Sequence, residues 1–223
     1  MAASQPSSLR RIRERELVEA TRRLFDERGM QAAPIEEIAR AVGIARGLIY
    51  RQFSSKEELY VLTVTNYLDE LAGLLAAAID GESDVVARLE AGTEAYARFC
   101  ERYPAFLDAS LSLMQRPATE LQGMVSESVW LRLGQSMAGC LDLVAGVLRA
   151  GRDAGVLDVD DPDYMANVLW TQTLGTMHLA RIRVGVRQAA PGLPALFAVE
   201  PERVVRSCVD GVMAVMGVRR PGA

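Results

Sequence analysis

The sequence predicts an all-α protein, with a small three-helix unit at the N-terminal end and a larger helical part behind it. Three observations carry that reading. Long alternating runs of β-branched residues are absent, and Ala, Leu, Arg, Glu and Met are abundant. Apolar residues recur at i, i+3, i+4 and i+7, as in Ile35, Ile38, Ala39 and Val42. Pro104, Pro162 and Pro201 each suit a first helical turn, where the missing N–H costs nothing.

The elements follow in order. Residues 1–8 read as a disordered tail. A first helix spans Leu9 to Arg28, with Leu17, Ala20, Leu24 and Phe25 on one face, and Gly29 stops it. Pro34 starts a second helix of about two turns, which Gly43 ends. A third runs from Arg46 to Gln52. Ser55-Lys56-Glu57-Glu58 reads as a capping box, in which the Ser side chain takes one orphan N–H and Glu58 reaches back to another. A long helix follows to Ile79, and further helices are predicted over 83–102, 104–114, 118–151, 162–186 and 201–217. Asp161 is the predicted N-cap before Pro162. The stretch Gln188 to Pro201, with three prolines and Gly192, reads as an ordered or floppy connector.

Composition bounds the function. The 223 residues are 50% hydrophobic and 24% charged, which offsets chain entropy and excludes global disorder. A net charge of −4 excludes a uniformly basic nucleic-acid binder but not a locally basic module. The first 60 residues carry 11 basic and 9 acidic groups, the remainder 14 and 20. Charge is therefore polarised toward the small N-terminal unit. Cys100, Cys140 and Cys208 are odd in number and far apart, so neither a disulfide framework nor a metal cluster is expected. No secretory signal or membrane span is expected either, because the best apolar run, Leu71 to Ile79, is about half the length a span needs. These readings favour a cytoplasmic protein with no cofactor and no metal.

Three helices, a longer one and then two short ones with a Gly-containing turn between the last two, resemble a helix-turn-helix unit. The major groove admits one α-helix, and a preceding short helix can hold it there. Gly43 supplies the turn; Ile49 and Phe53 anchor the third helix, leaving Arg46, Gly47, Tyr50 and Arg51 free. The string from Ile35 through Gly43, Arg46, Gly47, Tyr50, Phe53 and Lys56 to Leu59 resembles the signature of the TetR/AcrR family of repressors, as do Phe25 and Gly29 upstream. The resemblance covers roughly residues 10–60. It implies that Gly47 lets the helix approach DNA, that the Tyr50 hydroxyl reaches a phosphate, and that Lys56 binds a phosphate at the start of the fourth helix. Arg46 and Arg51 are candidates for base edges or phosphates. The sequence departs from the family pattern at Ala33 and Ala45, where Ser or Thr is common, so a capping hydroxyl is missing at each. The cluster Arg10, Arg11, Arg13 and Arg15 suits either phosphate contact or a frayed, solvated helix start.

Beyond residue 60 one feature stands out. Tyr164 to Ala180 holds 17 residues without Asp, Glu, Lys or Arg. A helix without a charged face is buried on most sides. One side can cover the core and another can bury against a second copy, with Gly175 allowing close approach. The family resemblance likewise implies pairing through the last two long helices, 162–186 and 201–217. Phe99, Phe106, Met114, Trp130, Met137, Trp170, Thr171, Met177 and His178 are candidates for a small-molecule site, and the same residues would suit a plain core.

The expected fold is therefore all-α, with a tail at 1–8, a helix-turn-helix DNA-binding domain at 9–55 and an effector-binding and dimerisation domain at 56–218. The expected function is a ligand-responsive transcriptional repressor. It would bind palindromic double-stranded operator DNA as a homodimer and be released by a small lipophilic effector. The alternative is a helical small-molecule-binding protein without DNA affinity. An enzyme is not expected, since His-Glu-x-x-His, phosphate-loop and Gly-x-Ser-x-Gly patterns are absent.

Overall fold

A computed structural model describes residues 5–29, 34–115 and 117–218. The chain divides into two compact units, residues 1–69 with 108–137, and residues 70–107 with 138–223.

The first unit holds α1 (Gln5–Arg28), α2 (Ile35–Val42), α3 (Arg46–Gln52), the start of α4 (Lys56–Asp80), the end of α6 (Pro104–Met114), α7 (Ala118–Met124) and the first turns of α8 (Glu127–Asp153). Its core is built from the predicted faces: Leu17, Leu24 and Phe25 of α1, Ile35 and Ile38 of α2, and Ile49 with Phe53 from α3 and its end are all buried. Phe25 meets Tyr60 edge-on at 5.0 Å. Polar groups then lock α1 to α4. Arg22 donates to Asn66 Oδ1 at 2.8 Å and stacks 4.2 Å over the Tyr67 ring, whose hydroxyl donates to Asp26 at 2.5 Å. Burial first, and then the Asp26 bond, push the Tyr67 hydroxyl well above its ordinary range. From α8, Arg132 donates to Glu14 and Ser136 to Asp69, both at 2.6 Å.

The second unit holds the remainder of α4, α6 and α8 with α5 (Val85–Arg102), α9 (Pro162–Ile182), β1 (Val184–Ala190), β2 (Leu193–Ala198) and α10 (Pro201–Val215). Asp84 caps α5 by accepting from Val86 and Ala87, and Asp161 caps α9 by accepting from Asp163 and Tyr164. Ile79, Leu89, Leu148, Leu169, Val212 and Met213 belong to one apolar cluster that ties α4, α5, α8, α9 and α10 together.

Four expectations are corrected. Residues 5–8, assigned to the tail, are helical; Pro6 falls in the first turn, where proline is tolerated. Residues 1–4 lie outside the described residues, as does Ala33. The predicted helix 118–151 is two helices, broken at Val125 and Ser126, where Val125 takes an extended conformation. Helix 162–186 ends at Ile182, because Arg183 adopts a left-handed φ of +56°. The connector after it is an antiparallel hairpin, pairing Val184 with Ala198 and Val186 with Leu196. Pro191-Gly192 makes its turn, with Gly192 at φ +77°. Pro194 is tolerated because both strands of a two-stranded sheet are edges.

Among the described residues, α8 is the one helix long and apolar enough to cross a membrane by length and composition. No single uninterrupted apolar run shows this, because Gly, Ser and Gln are interspersed along α8. Core helices pass the same test, and Ala145, Val147 and Leu148 of α8 lie in the second unit's apolar cluster.

Candidate functional site

The helix-turn-helix forms for reasons visible residue by residue. Gly43 closes α2 in the left-handed region at φ +72°, and its N–H donates to the Arg40 carbonyl at 3.1 Å. An L-residue there would be strained. Ala45 enters α3 in an extended conformation without any side-chain cap, as its missing hydroxyl requires. Ile49 turns inward at 0% exposure. The opposite face then presents Arg46, Gly47, Tyr50 and Arg51, all exposed, with Lys56 exposed at the start of α4. All five predicted DNA-contact residues are therefore free to meet a flat or grooved partner, on one short helix and the helix start that follows it. Gly47 has nothing within 4 Å of the place a Cβ would occupy, so its surface is open.

Weak contacts hold these groups in place. Arg46 pairs with Glu36 of α2 at 2.7 Å and lies 5.6 Å from the Tyr50 ring. Lys56 lies 4.8 Å over the Tyr60 ring. Both cations are exposed, so phosphates can compete for them at little cost. Arg10, Arg11, Arg13 and Arg15 are exposed along α1. The Gln52 side chain donates to the Arg10 carbonyl at 3.2 Å, tying the end of α3 to α1.

The hinge between α3 and α4 differs from the predicted capping box. Ser55 Oγ accepts from the Glu58 N–H at 3.0 Å, as expected, and donates to the Met124 carbonyl at 2.9 Å. Glu58 does not return to Ser55. Its carboxylate accepts from the N–H and hydroxyl of Ser54 and from the hydroxyl of Ser126 just before α8. Burial works to raise the Glu58 carboxyl, but these donors outweigh it and hold the group below its ordinary value. Ser126 is 68 positions away in sequence, so no local motif could have named it.

The second unit contains a small, mostly apolar cavity of about 30 Å³. Leu75 and Ile79 of α4, Arg88, Gly92, Thr93 and Tyr96 of α5, Val144 and Val147 of α8, and Trp170 and Thr173 of α9 line it. It is tight at α5, where a Cβ on Gly92 would come within 3.3 Å of Ile79. Tyr96 stacks on Trp170 with centroids 4.2 Å apart. Its hydroxyl is buried without a hydrogen-bond partner among the described residues, which costs about 1–3 kcal/mol. Burial pushes that hydroxyl well above its ordinary value.

Of the nine predicted ligand residues, only Trp170 lines this cavity. Phe99 and Phe106 pack edge-on at 5.1 Å within the core, and Met177 is fully buried against a different cleft. Thr171 and His178 stand exposed on the other side of α9. Met114 is exposed, and Trp130 and Met137 are half-buried in the first unit. Helical phase explains the miss: Thr171 and His178 sit away from the Trp170, Thr173 and Met177 face. Sequence reasoning passed over Arg88, Gly92 and Tyr96, whose i, i+4, i+8 spacing on α5 was the available signal.

A helix-turn-helix with an exposed cationic and aromatic third helix is followed along the chain by a mostly helical part that bears the cavity. The family model described as bacterial regulatory proteins, tetR family, matches residues 17–62 of this chain. The transcriptional repressor KstR2 of Rhodococcus jostii is 29% identical over 143 residues, 62% of this chain and 65% of that one. The transcriptional activator FasR of Mycolicibacterium smegmatis is 35% identical over 86 residues, 39% of each chain. The chain thus spans less than two thirds of the length of these relatives. The structure of the ketosteroid transcriptional regulator KstR2 of Mycobacterium tuberculosis superimposes with a TM-score of 0.60 at 21% identity, covering 92% of this chain and 94% of that one. At that identity the likeness concerns the fold.

Proposed function

We propose that the chain is a ligand-responsive transcriptional repressor that reads palindromic operator DNA as a homodimer and is released by a small effector. The observation that carries this is the exposed set Arg46, Gly47, Tyr50, Arg51 and Lys56 on a helix anchored from behind by Ile49 and Phe53. Arginine suits guanine edges or phosphates, tyrosine and lysine suit phosphates, and Gly47 lets the backbone come close. One seven-residue helix reads few base pairs, so a two-fold pair is needed for a usable site.

The pairing face is α9 with α10. Ala166, Leu169, Trp170, Thr173 and Met177 of α9 are buried, while Asn167, Thr171, Gly175, His178 and Leu179 are exposed and uncharged. Gly175 has open space around it, which suits the backbone of a second copy. The effector site is the cavity at Trp170. One continuous helix, α4, begins with Lys56 and ends at Asp80, and it lends Leu75 and Ile79 to the cavity wall. An occupant that moves α4 changes the spacing of the two reading helices, so effector and DNA weaken each other's binding. Such a protein acts beside the chromosome, in the cytoplasm, with no catalytic step.

Binding of duplex DNA measured against salt tests the reading. A steep fall of affinity as salt rises is expected. Indifference to every duplex at low ionic strength would leave a helical small-molecule binder instead.

A further inference from the structure

The β1–β2 hairpin is exposed along nearly its whole length. Of residues 184–198 only Gly185 and Ala195 are half-buried, and none is buried. On one side Phe197 folds over Gly185, where a Cβ would fall 2.3 Å from the ring. The other side pairs Val184 with Ala198, Val186 with Leu196 and Gln188 with Pro194. Val186 and Leu196 are each 70% exposed there. An isolated two-stranded sheet is marginal in water, and an open apolar face on it calls for a cover. From Arg183 to Val199 the charged residues are Arg183 and Arg187, with no acid among them.

An open groove of about 510 Å³ between α8 and the start of α9 has the complementary character. Small side chains line it, among them Ala138, Ala145 and Ala166, and its charged lining residues are Asp142 and Asp163. Arg149 donates to these two at 2.6 and 2.9 Å. One cation between two carboxylates leaves the groove net negative, and Asp158, Asp160 and Asp161 stand exposed on the loop that leads into α9. Asn167, also in the lining, lies eight residues before Gly175, and Arg183 lies eight after it, roughly 12 Å along the axis each way. A two-fold axis crossing α9 at Gly175 therefore sets the end of one helix, where the hairpin begins, beside the partner's Asn167. The seven residues of β1 reach about 23 Å further, enough to lie across the groove. We infer that the hairpin is an arm that docks in the α8–α9 groove of a second copy, with Val184, Val186 and Leu196 on its small residues. Arg183 and Arg187 bring positive charge to its acidic edge. This rests on the reading of α9 as the pairing face. Both arms are exchanged in one two-fold pair, so each contact occurs twice and the assembly closes.

Two measurements on the full chain test this. In the first, Val186→Cys and Ala138→Cys, both at exposed positions, are made singly and together, and the proteins are treated with a short bismaleimide; the three native cysteines are buried. The double variant should give a covalent dimer on a denaturing gel, and the parent and each single variant should not. In the second, Val186→Glu with Leu196→Glu should raise the dimer dissociation constant at least about tenfold, because both charges would be desolvated in the groove. Both positions are exposed in the single chain, so circular dichroism should show its fold unchanged. A link confined within one chain, no link at all, or an unchanged dissociation constant overturns the inference. So does binding to phosphatidylglycerol vesicles that the two glutamates abolish, which would assign the arm to a membrane. Gly175→Glu separates failure of the arm from failure of the pairing reading. A dimer that Gly175→Glu breaks, but that neither links nor responds to the glutamates, keeps α9 and loses the arm; a monomeric parent sinks both.

Discussion

Helices α3 and α9 both turn one face inward and leave the other open, and their open faces have opposite chemistry. The open face of α3 carries Arg46, Gly47, Tyr50 and Arg51; that of α9 carries Asn167, Thr171, Gly175, His178 and Leu179. Charge and phenol on a short helix suit a phosphate-lined groove that pays back counterion release. A long uncharged face has nothing to offer phosphate and much to gain from another apolar surface. The comparison teaches that exposure alone does not assign a face to a partner; the side-chain chemistry of the exposed stripe does.

Gly175→Glu should break the α9 side most strongly. The single chain has open space at this position, and glycine is a poor helix-interior residue, so the variant chain should fold at least as stably as the parent. If two copies bury this face, each glutamate adds a desolvated charge costing several kcal/mol. Sedimentation should then show dimer giving way to monomer, and operator affinity should fall with it. A variant that stays as associated as the parent would mean that α9 is not the pairing face.

Ile49→Ala attacks the other helix from behind. Ile49 is fully buried, and such truncations cost about 2–5 kcal/mol. Duplex binding should be lost while self-association persists, whereas Gly175→Glu should lose self-association and operator affinity with it. Loss of both properties together would mean that the two faces are not independent.

Glu58→Gln sharpens the comparison at the hinge that holds α3. The parent carboxylate is held below its ordinary value of 4.5 in the fold, so its stabilisation is fully present above that value. It is lost as pH falls below 4.5 and through the depressed folded value. Removing the charge from a buried acceptor of three donors should cost about 1–3 kcal/mol near neutrality. Thermal unfolding against pH should show the parent losing that advantage below 4.5, with a flatter profile for the variant. Superimposable profiles would show that the hydroxyls, not the charge, matter.

The same contrast explains how much could be read in advance. The head was legible because its signals are local: Gly43 at a left-handed turn, Ile49 and Phe53 at i and i+4, and a tight string of spacings through Lys56. The helical character of the body and the cap at Asp161 were legible for the same reason. The hairpin was not. Its strands are short, interrupted by Gly185 and Pro194, and begun by a non-glycine residue, Arg183, in the left-handed region. The cavity was legible only at Trp170, because its wall is assembled from four helices whose relative phases no periodicity fixes. Thr171 and His178 were drawn in by adjacency to Trp170 and Met177 along the chain, although one step along a helix turns a side chain by about 100°.

The smallest expected effect is the most specific to the α3 side. Lys56→Ala removes one exposed cation that lies 4.8 Å over the Tyr60 ring, so folding stability should change little. On DNA, each phosphate contact contributes about one to the slope of log affinity against log salt. The variant should therefore bind every duplex somewhat less well and lose about one from that slope, with no change in which sequence is preferred. A sequence-dependent loss would instead place Lys56 at a base edge. An unchanged slope would shift the phosphate role to the arginines of α1 and α3, and the start of α4 would then be a hinge that DNA does not touch.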